Sequence, residues 1–155
     1  MTIGAQIVPK RREPAIDMNA LRLSARKEVA RNYSASLMSN TKWRILFKAL
    51  EASGVDIKGI AVKFVGDSQE WSPVFPGLYP PHAYVDLWPL NVHPLVEIEW
   101  IEFRRTVVEK RPNNVPPALL SQDVDAIRAV IDATGKRFPI EVTEQGLRVV
   151  GHLNA

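Results

Sequence analysis

Glu97 and Glu99 stand two residues apart in Leu95-Val-Glu-Ile-Glu-Trp-Ile-Glu-Phe-Arg104. That run alternates as a strand does, so the two carboxylates point the same way, about 7 Å apart. Such a pair can work as acid and base, or hold a divalent cation. Asp86, on a neighbouring stretch, is a candidate third oxygen ligand. The three histidines are His82, His93 and His152, and their spacing matches no zinc pattern. His82 and His93 flank one short strand, which would let them meet with Asp86 around a metal. The competing reading is structural: the glutamates line the solvated face of an antiparallel sheet covered on one side, and the histidines sit in surface loops.

Other chemistries are excluded or unsupported. With no cysteine there is no disulfide, thiolate metal site or cysteine nucleophile. No nucleophile elbow, phosphate-cradling glycine loop or dinucleotide fingerprint occurs. No cofactor is implied. The four tryptophans carry more information. Trp43 and Trp100 fall on faces expected to be core. If Ala83–Trp88 and Leu95–Arg104 pair as a hairpin, Tyr84, Asp86, Trp88, Glu97 and Glu99 share one face. That aromatic and acidic patch has the composition of a protein-binding surface. The alternative places Trp71 and Trp88 under the proline-rich loop as a satellite core.

These residues need a scaffold, and its central stretch is Ser39–Gly54. Trp43, Leu46, Phe47 and Leu50 fall at i, i+3, i+4 and i+7, the apolar stripe of a helix. Ser39, Asn40 or Thr41 can cap its start, and Gly54 suits its left-handed end. A second, weakly amphipathic helix is expected from Asp17 or Asn19 to residue 36. A third is expected from about Gln122 to Thr134, capped by Ser121 and ended by Gly135. Ile57–Val65 reads as a strand. The passage containing Pro73, Pro76, Pro80, Pro81, Pro89 and Pro94 has room for short or edge strands alone. Phe138–Val142 and Leu147–His152 read as a closing hairpin around Gly146. The order predicts an α+β fold: an antiparallel sheet with two helices packed on one face, a closing β-hairpin, and an N-terminal basic helical or flexible arm.

The net charge of +3 is unevenly placed. Residues 1–37 hold seven basic and three acidic side chains, Lys10, Arg11 and Arg12 among them. The remaining chain holds thirteen against fourteen. Residues 38–155 therefore offer no electrostatic case for a phosphate-binding face, and nucleic-acid binding would fall to the arm. The division drawn from this is an arm, 1–37, and one α+β domain, 38–155. Met38 is an alternative start, because it leads straight into a capped helix. No apolar run suggests a membrane span or a signal peptide, and a cytoplasmic location is expected.

Asn40-Thr41-Lys42-Trp43 followed by Leu46-Phe47 and Leu50, together with Glu97-Ile98-Glu99-Trp100-Ile101-Glu102, resembles a family of small uncharacterised bacterial proteins. Its members share the Asn-Thr-Lys-Trp helix and the Glu-Ile-Glu-Trp strand. They end on a helix and an Ile/Val-rich hairpin, which closes here on Gly151-His152. The resemblance covers roughly residues 39–153 and carries over no site residues. Small proteins of this kind are similar to immunity proteins that neutralise a toxin. The expectation is a non-enzymatic protein-binding module of immunity-like type. The alternatives are a metal-dependent or metal-binding protein using Glu97, Glu99 and Asp86, and nucleic-acid binding through the basic arm.

Overall fold

A computed structural model describes residues 17–79, 83–109 and 111–154. Helix α1 (Met18–Asn32) begins where Asp17 accepts bonds from the amides of Asn19 and Ala20. It stops four residues before the expected end, because Tyr33–Ser36 forms strand β1. Helix α2 (Asn40–Ser53) has the expected boundaries. Ser39 Oγ accepts from Lys42 N at 3.1 Å, and Gly54 takes φ +69°. That left-handed value is readily reached by glycine. The four predicted stripe residues, Trp43, Leu46, Phe47 and Leu50, are all buried.

Strands β2 (Ala61–Phe64) and β3 (Glu70–Trp71) follow. The proline-rich passage then folds into three three-residue strands, β4 (Gly77–Tyr79), β5 (Tyr84–Asp86) and β6 (Val92–Pro94), as missing donors dictate. A single 3-10 turn, Leu95–Glu97, leads into β7 (Ile98–Arg104). β8 (Thr106–Glu109) pairs back with β9 (Ala118–Ser121). Helix α3 (Val124–Ala133) is capped by Asp123, which accepts from Ala126 N, and not by Ser121, which ends β9. β10 (Ile140–Val142) and β11 (Gly146–Val150) make the closing hairpin, and β12 (His152–Asn154) pairs with β1.

The main sheet has the order β10-β11-β7-β2-β3, antiparallel throughout. One core joins α2 and α3 to one sheet face: Trp43, Leu46, Phe47, Leu50, Val124, Ile127 and Ile131 meet Val62, Ile101, Phe103, Leu147 and Val149. The fold is α+β, as the sequence implies. Among the described residues no helix is long and apolar enough to cross a membrane.

Strict alternation would put Ile98 and Trp100 on one face of β7, and the structure separates them. Opposite Lys63 and Phe64 the register slips, pairing Lys63 with Trp100 and Phe64 with Ile98. An extra residue in one strand interrupts the alternation. Ile98 and Ile101 therefore both join the core, while Trp100 turns to the opposite face. Trp100 is still buried, because Arg148 lies 3.9 Å over its ring.

Phe47 stacks on Trp43 and meets Phe75 edge-on, with no appreciable exposure. Phe47→Ala is expected to lower unfolding free energy by about 3–5 kcal/mol in urea titrations. A loss below about 1 kcal/mol would mean that α2 is not packed as described.

Candidate functional site

Three neighbourhoods hold the candidate residues. The first is the small sheet β4-β5-β6. Val85 and Leu87 anchor it with no exposure, while Asp86 is exposed and Trp88 is 64% exposed. Leu87 N donates to Asn91 O at 3.0 Å, so Trp88 rides a closed turn. Its carbonyl accepts from Val74 N at 3.0 Å, and Val74 is 52% exposed. Two apolar side chains thus stand in solvent on chain segments tied by a backbone bond. Trp88 is no satellite core. Trp71, about a third exposed, is held by its indole N–H donating to Asp67 at 2.8 Å. Bonds from Gln69 N–H and then from that indole hold the Asp67 carboxyl below its usual range.

Tyr84 lies in the same small sheet but is buried, which corrects its place in an exposed patch. The proposed hairpin of Ala83–Trp88 with Leu95–Arg104 is also absent. β5 pairs with β4 and β6, and β7 pairs with β11 and β2. The tight turn at Leu87–Asn91 returns the chain to β5 through β6 before β7 begins, so β5 is already paired on both sides. Trp88 is therefore tied to the Val74 segment, and Asp86 lies on a strand that does not pair with the one carrying Glu99.

The second neighbourhood is an open cleft of about 240 Å³ beside α1, lined by Leu21, Ser24, Glu28, Val65, Gly66 and Glu97. Glu97 belongs to the 3-10 turn, which breaks the i, i+2 relation with Glu99. Its Oε2 lies 3.2 Å from His93 Nδ1. His93 Nε2 lies 2.8 Å from Leu90 O, and the imidazole stacks on Phe64 at 4.4 Å. Burial opposes charge on His93, but the bond and charge of Glu97 outweigh it and raise its pKa above the ordinary value.

The third is the sheet face away from the helices, where the glutamates are not solvated. Glu99 is 3% exposed and pairs with Lys63 at 2.9 Å. Glu102 is fully buried: its Oε1 accepts from Arg104 Nε, and its Oε2 accepts from Thr143 Oγ1 and Arg148. Arg104 also reaches Glu70 at 2.7 Å. Burial alone would raise the Glu102 pKa, but Arg104, Thr143 and Arg148 together hold it below the usual carboxylate range. At the margin of this face Tyr33 meets His152 at 5.9 Å between centroids. Burial first, then the Glu99 carboxylate, push the Tyr33 phenol up to about 12. Burial lowers the His152 pKa; its Nε2 donates to Val96 O at 2.8 Å, and its Nδ1 lies 2.9 Å from Ser36 Oγ.

The metal reading is not assembled. Glu97 faces His93, Glu99 faces Lys63, and Asp86 lies opposite Val92 on β6. Among the described residues no three His, Asp or Glu are grouped to hold a metal ion. His82 lies outside the described residues, as do Lys10, Arg11 and Arg12. Sequence reasoning missed the Glu102 cluster and the role of His93. The alternating charges of Glu102, Arg104 and Arg148 were the available signal for the first; nothing in spacing pairs His93 with Leu90.

The fold and these sites define an α+β protein with one exposed tryptophan turn and an ion-paired sheet face. The chain belongs to DUF6678, a family of unknown function, whose model matches residues 25–155. No curated protein and no solved structure matches the chain.

The Glu102 cluster makes a pH prediction. A depressed carboxyl pKa contributes stability that is present above the unfolded value of about 4.3 and is lost as pH falls through the folded value. Glu102→Gln should remove that part of the acid dependence. At neutral pH it should cost about 1–3 kcal/mol, because Arg104 and Arg148 keep partial access to water. Denaturant titrations of both proteins between about pH 3 and 7 check this; parallel profiles would contradict it.

Proposed function

We propose that this protein is a non-enzymatic protein-binding module of immunity-like type, acting in the cytoplasm. Its recognition surface is the edge formed by Val74, Asp86 and Trp88. The observation that carries the reading is the exposure of Trp88 on a turn closed by the Leu87–Asn91 bond and tied to Val74. A tryptophan combines large apolar area with little side-chain entropy to lose, which is why it is enriched among the residues that dominate interfaces. Holding it in water costs hydrophobic free energy that docking against a partner would recover. Asp86 adds a negative charge beside it, so the complementary surface is an apolar pocket rimmed by a basic side chain.

The match to a family of unknown function names no partner, so the experiment must find one. Tagged protein is used to capture partners from its native host, and the captured protein is purified for titration. Trp88→Ala should weaken its affinity at least about tenfold, equivalent to about 1.4 kcal/mol. Asp86→Lys should weaken it further where the partner surface is basic. A captured protein that binds Trp88→Ala as tightly as the wild type would overturn the reading.

A further inference from the structure

His93 sits between two groups that accept hydrogen bonds. Its Nε2 is 2.8 Å from the carbonyl oxygen of Leu90, and its Nδ1 is 3.2 Å from Oε2 of Glu97. A carbonyl oxygen never donates, and an ionised carboxylate only accepts. A neutral imidazole carries one N–H and can satisfy one of these partners. Both bonds together require one more proton than neutral histidine and ionised glutamate bring. That proton makes His93 an imidazolium between Leu90 and Glu97, with its ring on the face of Phe64.

The surroundings favour that charge. Glu97 comes from the 3-10 turn, and Glu28 from α1 lines the same cleft, its Oε1 accepting from Asn32 at 2.7 Å. From β5, Val85 lies opposite His93, and the exposed Asp86 lies opposite Val92. β2 contributes Phe64, which is uncharged. Among the described residues no Lys or Arg forms an ion pair with Glu97 or Glu28. Helix α1, which packs on β6 and on the 3-10 turn, also carries the basic residues Arg22, Arg26, Lys27 and Arg31. Arg22 Nη2 donates to Asn19, so the α1 cations pair elsewhere or not at all and Glu97 keeps His93 as its ion-pair partner.

Leu90 belongs to the turn that presents Trp88. Within that turn Leu87 N bonds Asn91 O and Leu90 N bonds Leu87 O. Buried Leu87, Leu90 against the core and the Val74–Trp88 backbone bond hold the turn in place, and the Leu90–His93–Glu97 chain adds a side-chain tie from it to the 3-10 turn. We propose that the His93–Glu97 pair is a proton-operated latch on the Trp88 turn, so that partner binding at Trp88 strengthens as pH falls through neutrality. The binding half rests on the function proposed above, and the latch itself does not. With the proton gone, His93 keeps Leu90 or Glu97 but not both. The turn then samples other conformations, and apparent affinity falls with the binding-competent fraction. The sign follows from linkage. A histidine whose folded pKa is raised contributes stability fully present below its unfolded pKa of about 6.5. That stability is lost as pH rises through the folded value.

The test uses the full chain carrying ¹⁵N-histidine and 5-fluorotryptophan, titrated from about pH 5 to 9. The ¹⁵N spectrum should show both His93 nitrogens protonated at about pH 6, with a midpoint above that of an unperturbed histidine. The ¹⁹F signal of Trp88, assigned by Trp88→Phe, should move with the same midpoint. Glu97→Gln should lower both midpoints together, and His93→Gln should remove the Trp88 transition. A His93 that holds a single proton at about pH 6 would overturn the latch, and so would a Trp88 signal that ignores its titration. Binding of the captured partner should tighten from about pH 8 to 6 in the wild type and lose that dependence in Glu97→Gln. Binding that needs Trp88 but is flat with pH would overturn the coupling. A latch seen by NMR together with Trp88-independent binding would overturn the proposed recognition surface alone.

Discussion

Strand β7 is buried on both faces, and the rest of the molecule answers to that constraint. From Ile98 to Phe103 no residue is appreciably exposed. Toward the helices the strand gives Ile98, Ile101 and Phe103 to the shared core. On the other side it places Glu99, Trp100 and Glu102 under the long side chains of Lys63, Arg104 and Arg148. Ionised carboxylates out of water are tolerated only when paired and hydrogen-bonded. The stems of those cations supply the apolar cover, and their heads supply the charge. A sheet with helices on one face thus achieves two-sided burial without a second helical layer.

The register slip between β2 and β7 decides which residues fall on which side. It sends both Ile98 and Ile101 to the core and Trp100 outward. Gly151 lies where the chain leaves β11 beside this irregularity, and its amide donates to Glu99 O at 2.6 Å. A Cβ there would run into the carbonyl of Ile98 and the ring of Trp43. The Asn-Thr-Lys-Trp helix, the Glu-Ile-Glu-Trp strand and Gly151 therefore meet at one place. Close packing there accounts for the absence of a side chain at Gly151.

Much of the scaffold was legible because it follows from local rules. Ser39, the Trp43–Leu50 stripe and Gly54 specify α2 without reference to anything else. Missing proline donors limited the strands between Pro73 and Pro94 to short pieces. The site was far less legible. Strict alternation put Glu97 and Glu99 together, but a 3-10 turn at Leu95–Glu97 and the register slip separated them, and neither has a local signature. The hairpin drawn between Ala83–Trp88 and Leu95–Arg104 overlooked β6, whose partner in β5 is set by the turn at Leu87–Asn91. Tyr84 and Trp88, equivalent by parity, then parted: Tyr84 went inward and Trp88 outward. Alternation turned Trp88 and Asp86 outward, and both are exposed, but it gave no sign of Val74 bonded to the Trp88 carbonyl or of His93 beside Leu90.

Two features of the molecule pull in different directions. The main sheet covers its carboxylates with the side chains of Lys63, Arg104 and Arg148, and the small sheet holds a tryptophan in water. The function proposed for this turn is to be covered by another protein. Amide hydrogen exchange with and without a captured partner measures that directly. Added protection should concentrate in residues 71–76 and 84–91, around Val74 and Trp88. Protection that leaves those segments unchanged and falls elsewhere, on the β8–β9 ribbon or the α1 cleft, would contradict it.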